Sequence, residues 1–294
     1  MNTKVLVVGG GGREHAIVEA LLRDGAAVYA AMKNQNPGIA RAAKEFRLVK
    51  ETDVPKVVEF AMSTGVELAV IGPEAPLEAG LADELARKGI GSVGPTQAAA
   101  RLETSKRFSR RLLKKHDVPG NVAFGTFQDY ASAKLFVDDF PGELVVKPEG
   151  LTGGKGVKVE GEHLNGKAEV LEYVSEVLDR RIGGAGVVLE ERLVGEEFTL
   201  QAFCDGRNVA GMPLVQDHKR AYEGDVGPNT GGMGSYTDVD HLLPFVTGDE
   251  VTSPFQFGNG IRSRLGQRNT IGRIDQRSVD VADNQTDNRF GVWP

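Results

Sequence analysis

Residues 4–12 constrain the fold of this chain more than any other segment. A short apolar strand-like run at residues 4–8 is followed by four consecutive glycines and then by a segment with helical periodicity. A run without polar alternation is typical of a strand buried on both faces, and such strands belong to parallel sheets covered by helices. The sequence therefore predicts a strand, a glycine turn and a helix that starts near Arg13 and ends at Gly25.

The same alternation continues to about residue 95. Residues 27–31 and 68–71 are further strand candidates, and Pro76 suits the first turn of a helix that carries Leu77, Leu81 and Leu85. Alternating strands and helices indicate a parallel sheet. We expect an α/β domain over residues 1–103, followed by a basic helix at 96–116 that Pro119 terminates.

The second part of the chain has the sequence pattern of an α+β domain. Strand-like segments at 143–147, 156–160, 187–191, 197–203 and 208–215 surround one helical segment at 168–179, and Asp205-Gly206 predicts a hairpin turn between the last two strands. We assign this second domain to residues 104–245, with residues 120–190 as a subdomain of its own.

Charge and composition exclude several classes of function. The net charge is −6, so no overall basic field favours nucleic acid or an anionic membrane. Cys204 is the only cysteine, the five histidines lack metal-ligand spacing, and no stretch is apolar enough to span a bilayer. We expect a cytoplasmic protein, a monomer, that acts on small molecules.

The first glycine loop, residues 9–12, suits a phosphate because free backbone amides face the positive end of a helix. A dinucleotide fingerprint is nevertheless incomplete. The fingerprint can begin at Gly9 or at Gly10, and its third small residue would then be at position 14 or 15, where the chain has Glu14 and His15. The second strand candidate is followed by Met32-Lys33, so it offers no acidic side chain to bind a ribose. NAD binding is disfavoured, and a tight turn without a ligand remains the alternative.

A second glycine loop follows the strand that ends at Lys147. Gly153, Gly154, Lys155 and Gly156 then lead into another strand. A strand, glycine loop and strand can form a lid that folds its amides and a lysine over polyphosphate. It is not a Walker loop, because a strand rather than a helix follows. The alternative is an ordinary glycine-rich hairpin.

Two further segments carry charges that suit the same chemistry. Acidic residues lie at both ends of the segment 188–199, which alone would equally fit a solvated acidic face. Residues 216–220 form a cationic group that closes a strand, and a glycine-rich turn follows at 227–234. An anionic substrate would suit this pair. A surface loop is the alternative.

The order of these segments along the chain, a glycine-rich lid, then an acidic segment, then a basic end of a strand, resembles that of the ATP-grasp superfamily. Particular segments resemble the phosphoribosylamine–glycine ligase family of purine biosynthesis, and they cover residues 1–245 in register: 5–16, 71–77, 94–96, 102–106, 147–157, 216–220 and 227–234. The last two segments are the most specific. They disfavour another ATP-grasp enzyme such as a carboxylase subunit.

The resemblance implies an ATP-dependent ligase that joins glycine to 5-phosphoribosylamine through a glycyl phosphate, with Mg²⁺ or Mn²⁺. It implies catalytic roles for Lys155, Lys219 and Asp217. It implies ATP contacts, including the phosphates, the adenine edge and the ribose, for Lys106, Lys147, Gly153, Gly154, Lys155, Gly156, Glu190, Glu191, Leu193 and Glu197. The implied substrate-binding residues are Gly10, Arg13, Glu74, Asp217, Lys219, Asn229 and Gly231.

The resemblance ends after Phe245. The segment 246–294 has six arginines and no lysine, with no persistent period, which predicts a disordered tail. Translation in a shifted reading frame would explain both the break and the composition. The ATP-grasp domain is then incomplete, because the family's Glu and Asn metal ligands fall beyond the break. A catalytically impaired nucleotide-binding fragment therefore stands as the alternative to an active ligase.

Overall fold

The computed structural model describes residues 2–152, 156–224, 226–239 and 241–246. The chain divides between Thr104 and Ser105 into two compact units. Apart from Val246, the atypical segment 246–294 lies outside the described residues, as do Gly153, Gly154 and Lys155.

The first unit contains a five-stranded parallel sheet with the strand order β3-β2-β1-β4-β5. This confirms the predicted α/β class. The strands are β1 (Lys4–Val8), β2 (Ala27–Met32), β3 (Glu45–Leu48), β4 (Leu68–Ile71) and β5 (Gly91–Val93), and the helices are α1 (Gly12–Arg23), α2 (Pro37–Ala42), α3 (Val54–Thr64), α4 (Glu74–Glu78), α5 (Leu81–Arg87) and α6 (Gln97–Thr104).

Both faces of this sheet are buried, which explains the apolar run in β1. Leu6 and Val8 pack on one side with α3 and α5, in a core that includes Phe60 and Leu85. Val7 points to the opposite side and packs against residues of α1 and α2. Successive side chains of a strand face opposite ways, so a strand covered on both sides has no polar position in its interior.

Two predicted helices of the N-terminal region are interrupted. The helix expected to start at Pro76 is two helices, because Gly80 adopts a left-handed conformation (φ 85°) between α4 and α5. The helix expected over 96–116 is also two, because Ser105 has extended backbone angles and its hydroxyl accepts a hydrogen bond from Phe108 N (3.2 Å). Ser105 therefore caps a new helix, α7 (Lys106–Lys115).

The second unit contains a four-stranded antiparallel sheet, β6-β9-β7-β8, as the α+β prediction requires. Helices α8 (Tyr130–Asp139) and α9 (Gly166–Asp179) supply Val137, Val174 and Val177 to the core beneath one face. The strands are β6 (Phe124–Phe127), β7 (Leu144–Pro148), β8 (Lys158–Val159) and β9 (Val187–Glu191). Strand β8 is shorter than the predicted 156–160.

Two hairpins complete the described part of this unit. Strands β10 (Ala202–Cys204) and β11 (Val209–Gly211) pair around the predicted Asp205-Gly206 turn, but both are shorter than the predicted 197–203 and 208–215. In that turn the Asp205 carboxylate accepts hydrogen bonds from the backbone of Asn208 and Arg207, which lower the pKa of Asp205 to about 2.

The second hairpin corrects the sequence interpretation. Residues 216–220 do not close a strand; they lie inside β12 (Gln216–Tyr222). The expected glycine-rich turn at 227–234 lies inside β13 (Val226–Tyr236), which pairs with β12. Glycine disfavours strands by itself, but the backbone hydrogen bonds of a paired neighbour override that preference.

Candidate functional site

Lys147 lies on the face of the second sheet that points away from α8 and α9. Leu144 and Val146 of β7 are buried in the core with those helices, so Val145 and Lys147 face the other way. Val145 pairs directly with Glu190 of β9. Cross-strand partners share a face, so the pairing brings Glu190 beside Lys147.

Glu190 is the centre of a charge cluster. Its carboxylate is buried, with the residue 3% exposed, and it accepts hydrogen bonds from Lys147 Nζ (2.6 Å) and from Arg110 Nε and Nη2 (2.8 Å each). Burial raises the pKa of the Glu190 carboxyl, but the hydrogen bonds from Arg110 and the charge of Lys147 outweigh it, so this pKa lies below its ordinary value. Glu190 is ionised at neutral pH.

Helix α7 brings further positive charge to the same region. Arg107 Nη2 donates to Glu149 Oε2 (2.6 Å), and Lys106 Nζ donates to the carbonyl oxygen of Gly150 (2.9 Å). Among the described residues, Arg107 thus faces the Glu149 carboxylate, Arg110 and Lys147 face the Glu190 carboxylate, and Lys106 contacts a carbonyl oxygen. The excess of cations at the start of a glycine loop favours an anionic ligand.

The described ends of the glycine loop are held by hydrogen bonds. Gly150 N donates to Gly183 O (2.7 Å), and Glu149 N donates to Gly186 O (3.0 Å). At the other end, the buried Tyr173 hydroxyl donates to Gly156 O (2.9 Å). Among the predicted loop residues the structure therefore places Gly156 and Lys147, whereas Gly153, Gly154 and Lys155 lie outside the described ranges.

The segment after β9 and strand β12 bring three predicted residues together. Lys219 Nζ lies 3.3 Å from Glu197 Oε2 and 3.7 Å from Asp217 Oδ2. Sequence reasoning assigned Glu197 to ATP, and Lys219 and Asp217 to catalysis and substrate. Glu191 is partly buried and Leu193 is exposed, while Asn229 and Gly231 belong to β13, where Asn229 pairs with Arg220.

Arg192 and Glu162 connect the β9 end to this hairpin. Arg192 donates to Glu143 Oε2 (2.7 Å) and to Glu162 Oε1 (3.1 Å), and Arg220 of β12 donates to Glu162 Oε2 (2.9 Å). Arg220 also donates to Gly227 O across the hairpin (3.0 Å). One carboxylate therefore joins the segment after β9 to β12.

In the first unit, the loops after β1 and β4 lie side by side, because the strand order reverses at β1. Arg13 Nη2 lies 3.7 Å from Glu74 Oε1, so two predicted substrate residues are neighbours, and the third, Gly10, accepts a hydrogen bond at its carbonyl from Asn36 Nδ2 (3.1 Å). Glu14 is buried, and its Oε2 accepts a hydrogen bond from Gly11 N (2.7 Å).

Glu14 gives a physical reason for the incomplete dinucleotide fingerprint. Its carboxylate occupies the space beside Gly9 and Gly72 so closely that a methyl group on either glycine would collide with it. A carboxylate already sits where the backbone amides of such a loop would otherwise meet a pyrophosphate. That NAD does not bind stays a prediction, and the contact between Glu14 and the Gly11 amide is consistent with it.

Sequence reasoning did not identify Arg107, Arg110, Glu149 or Tyr173. The density of basic residues in 106–115 was visible, but the helical period alone does not say which of them faces the sheet. Tyr173 carried no signal, because a tyrosine on an apolar helix face is ordinarily a core residue.

Within the described ranges, no group of three or more His, Cys, Asp or Glu residues is placed to hold a metal ion. The magnesium or manganese that the resemblance implies therefore has no assigned ligands there. None of the helices in those ranges is both long enough and apolar enough to cross a bilayer.

Comparison with known proteins identifies the family of both units. Residues 3–103 match the N domain of the phosphoribosylglycinamide synthetase family, and residues 104–254 match its ATP-grasp (A) domain. The chain belongs to this family. A different ATP-grasp enzyme, such as a carboxylase subunit, is thereby set aside.

A curated relative, phosphoribosylamine–glycine ligase of Methanoregula boonei, is 57% identical over 251 residues, which are 85% of this chain and 57% of the relative. The crystal structure of phosphoribosylamine–glycine ligase from Thermotoga maritima has a TM-score of 0.65 at 30% identity, and the match covers 79% of this chain and 55% of that one. The chain thus spans little more than half the length of its relatives.

The ATP-grasp fold itself is shared more widely. The biotin carboxylase domain of 2-oxoglutarate carboxylase from Hydrogenobacter thermophilus has a TM-score of 0.60 at 20% identity, covering 75% of this chain and 51% of that domain. At this identity the likeness concerns the fold alone. It agrees with the predicted combination of a parallel-sheet unit and an ATP-grasp unit.

Proposed function

We propose that this chain carries the nucleotide-binding and substrate-binding parts of a phosphoribosylamine–glycine ligase, which joins glycine to 5-phosphoribosylamine with ATP. The observation that carries the proposal is the cationic cluster of Lys147, Arg110, Lys106 and Arg107 beside the glycine loop, in a chain whose two units match the two domains of this family. An excess of partly buried positive charge at a glycine loop suits the phosphates of ATP.

The reaction divides into two displacements. An oxygen of the glycine carboxylate attacks the γ-phosphorus of ATP, the bond to ADP breaks, and glycyl phosphate forms. The amine of phosphoribosylamine then attacks the glycyl carbon, phosphate leaves, and the amine gives up a proton. Positioning and charge neutralisation do most of such catalysis.

Within this proposal, Lys147, Lys106 and Lys155 meet the phosphates, and Gly153, Gly154 and Gly156 allow the loop backbone to approach them. Residues 190–193 frame the adenine edge largely through their backbone, and Glu197 binds the ribose. Lys219 offsets negative charge, and Asp217, whose carboxylate lies 3.7 Å from Lys219 Nζ, orients that lysine. Gly10, Arg13, Glu74, Asn229 and Gly231 are the proposed substrate contacts. Magnesium or manganese belongs to the proposal, and none of these steps is derived through it.

Calorimetry with ATP tests the nucleotide site. We expect Lys147→Ala to weaken ATP binding about tenfold to a hundredfold, since one charged contact to phosphate contributes about 1.5–3 kcal/mol. Lys134→Ala is the matched control, because Lys134 pairs with Asp138 on α8, away from the loop. Equal ATP affinity in the folded Lys147→Ala protein would refute the site. NAD is expected to give no saturable thermal shift.

The alternative is a nucleotide-binding fragment with impaired catalysis. The chain spans 57% of the length of the Methanoregula boonei relative. Formation of glycinamide ribonucleotide by this chain and by that full-length relative should be compared at saturating ATP. Similar rates of product formation would exclude impaired catalysis in this chain, whereas ATP binding without product formation would support it.

A further inference from the structure

The two cations on Glu190 are held very differently. Arg110 donates to both carboxylate oxygens, through Nε to Oε1 and through Nη2 to Oε2, and its Nη1 donates to Asn121 Oδ1 (3.2 Å). Asn121 Nδ2 in turn donates to the Arg110 carbonyl (3.3 Å). The guanidinium is thus fixed on both sides. Lys147 reaches the same carboxylate through a single ammonium contact, to Oε2.

This asymmetry decides which cation can leave. If Lys147 moves away, Glu190 still has a bidentate partner and remains a satisfied buried carboxylate. If Arg110 is removed, Lys147 becomes the one counter-ion that the described part of the chain offers to a carboxylate in a residue that is 3% exposed. Burying an unpaired charge is strongly unfavourable, so Lys147 would then be retained by Glu190.

Lys147 is also the member of the cluster that can reach a ligand. Its side chain is 24% exposed, against 5% for Glu190, and it stands at the end of β7, directly before the glycine loop. A lysine is a flexible point charge, whereas a bidentate arginine is held in one plane.

We propose that Arg110 is a positioning residue, a resident counter-ion for Glu190 that allows Lys147 to transfer from Glu190 to a phosphate of a nucleoside triphosphate. The inference rests on the proposed nucleotide site. Arg110 itself need not touch the nucleotide.

ATP binding to the whole chain, measured by calorimetry, tests this. We expect Arg110→Met to raise the ATP dissociation constant about tenfold or more, although Lys147 is intact. Arg111→Met is the matched control: it removes the same charge from the neighbouring position of α7, where Arg111 contacts Thr126 Oγ1 (3.1 Å). That control should change the constant less than about twofold.

Charge compensation separates this role from a merely structural one. In Arg110→Met/Glu190→Gln the buried anion is gone, Lys147 is released, and ATP affinity should recover to within about threefold of the unmodified chain. If Arg110→Met does not fold, Arg110→Lys, which keeps the charge without the bidentate contact, should still show a weakening that Glu190→Gln relieves.

The outcomes also separate this inference from the function on which it rests. If the unmodified chain does not bind ATP, the proposed function fails. If it binds ATP through Lys147, but Arg110→Met binds as tightly or Glu190→Gln gives no recovery, Arg110 does not govern Lys147 and the inference alone is wrong.

Discussion

At the scale of single residues, the chemistry of the candidate site depends on which charges are already paired within the protein. Lys147 was identified from its place before a glycine loop, but its immediate partner is Glu190, which sequence reasoning had assigned to the adenine edge. An anionic ligand must therefore compete with a buried carboxylate for that lysine. Arg110 determines the outcome of that competition.

The Glu190 carboxylate should make stability depend on acid. Its pKa in the folded chain lies below its ordinary 4.5. A carboxylate of this kind stabilises the fold above the pKa of the unfolded chain, and its contribution is lost as pH falls through the folded-state pKa. We therefore expect the free energy of unfolding, measured with urea, to decrease as the pH is lowered below 4.5.

The same measurement on Glu190→Gln should show a smaller acid-dependent loss. This variant should also be less stable at neutral pH by about 1–3 kcal/mol, because two cations lose their charged partner. Glu172→Gln on the exposed side of α9 is the control and should retain the acid dependence of the unmodified chain. An unchanged pH slope in Glu190→Gln would contradict the assignment.

A second residue-scale prediction concerns Gly38 in α2. A methyl group at this position would collide with the imidazole ring of His15, which packs directly against it. Gly38→Ala should therefore destabilise the first unit by about 1–3 kcal/mol, despite the better helix propensity of alanine. His15→Ala in the Gly38→Ala background should recover most of that loss. Thermal unfolding monitored by circular dichroism would measure this recovery of stability. If the double variant did not recover, a contact other than His15 would be responsible for the destabilisation by Gly38→Ala.

At the scale of elements, the glycine loop is anchored by α9, which packs on the face of the sheet opposite to Lys147 and Glu190. Tyr173 of α9 donates to Gly156 O, and the Lys158 ammonium lies 3.8 Å from the centre of the Tyr173 ring. Burial and then the charge of Glu176 raise the pKa of the Tyr173 phenol, so its hydroxyl remains a donor through neutral pH. This hydrogen bond ties the C-terminal end of the loop to α9.

Tyr173→Phe isolates that anchor, because it removes the hydroxyl and keeps the ring. The Gly156 carbonyl then loses its buried donor, so we expect a destabilisation of about 1–2 kcal/mol in urea unfolding. Tyr130→Phe, at an exposed tyrosine that begins α8, is the control and should stay within about 0.5 kcal/mol of the unmodified chain. If Tyr173→Phe left the free energy of unfolding unchanged, the hydrogen bond to Gly156 would not contribute to holding the loop.

At the scale of the whole molecule, apolar burial is unevenly distributed. The first sheet is packed on both faces, and the β6-β9-β7-β8 sheet buries its core against α8 and α9. A smaller cluster around Leu214 and Leu243 lies in the segments that flank the hairpins, while Phe203 of β10 and Met233 of β13 are more than half exposed. Regions with few buried contacts open at lower free energy.

Native-state hydrogen exchange should therefore report two levels of protection. Backbone amides of β1, β4, β7 and β9 should exchange only with global opening of their unit, and those of β10–β13 should exchange at a free energy lower by several kcal/mol. Equal protection in both groups would show that the hairpins are stabilised by contacts beyond the described residues. Glu162→Gln should lower the protection of β12 further, because Arg192 and Arg220 share that carboxylate.

The sequence alone determined the fold class, the parallel sheet, the strand that delivers Lys147 and the family. These features depend on local patterns: an apolar run buried on both faces, glycines at turns, and short motifs with fixed spacing. Tertiary structure decided what lies between such segments. The pairing of 227–234 as a strand and the Arg110–Glu190–Lys147 cluster join residues up to 80 positions apart. No local period encodes such pairings, because they arise only when the sheet register brings β7 and β9 together beneath a helix from another part of the chain.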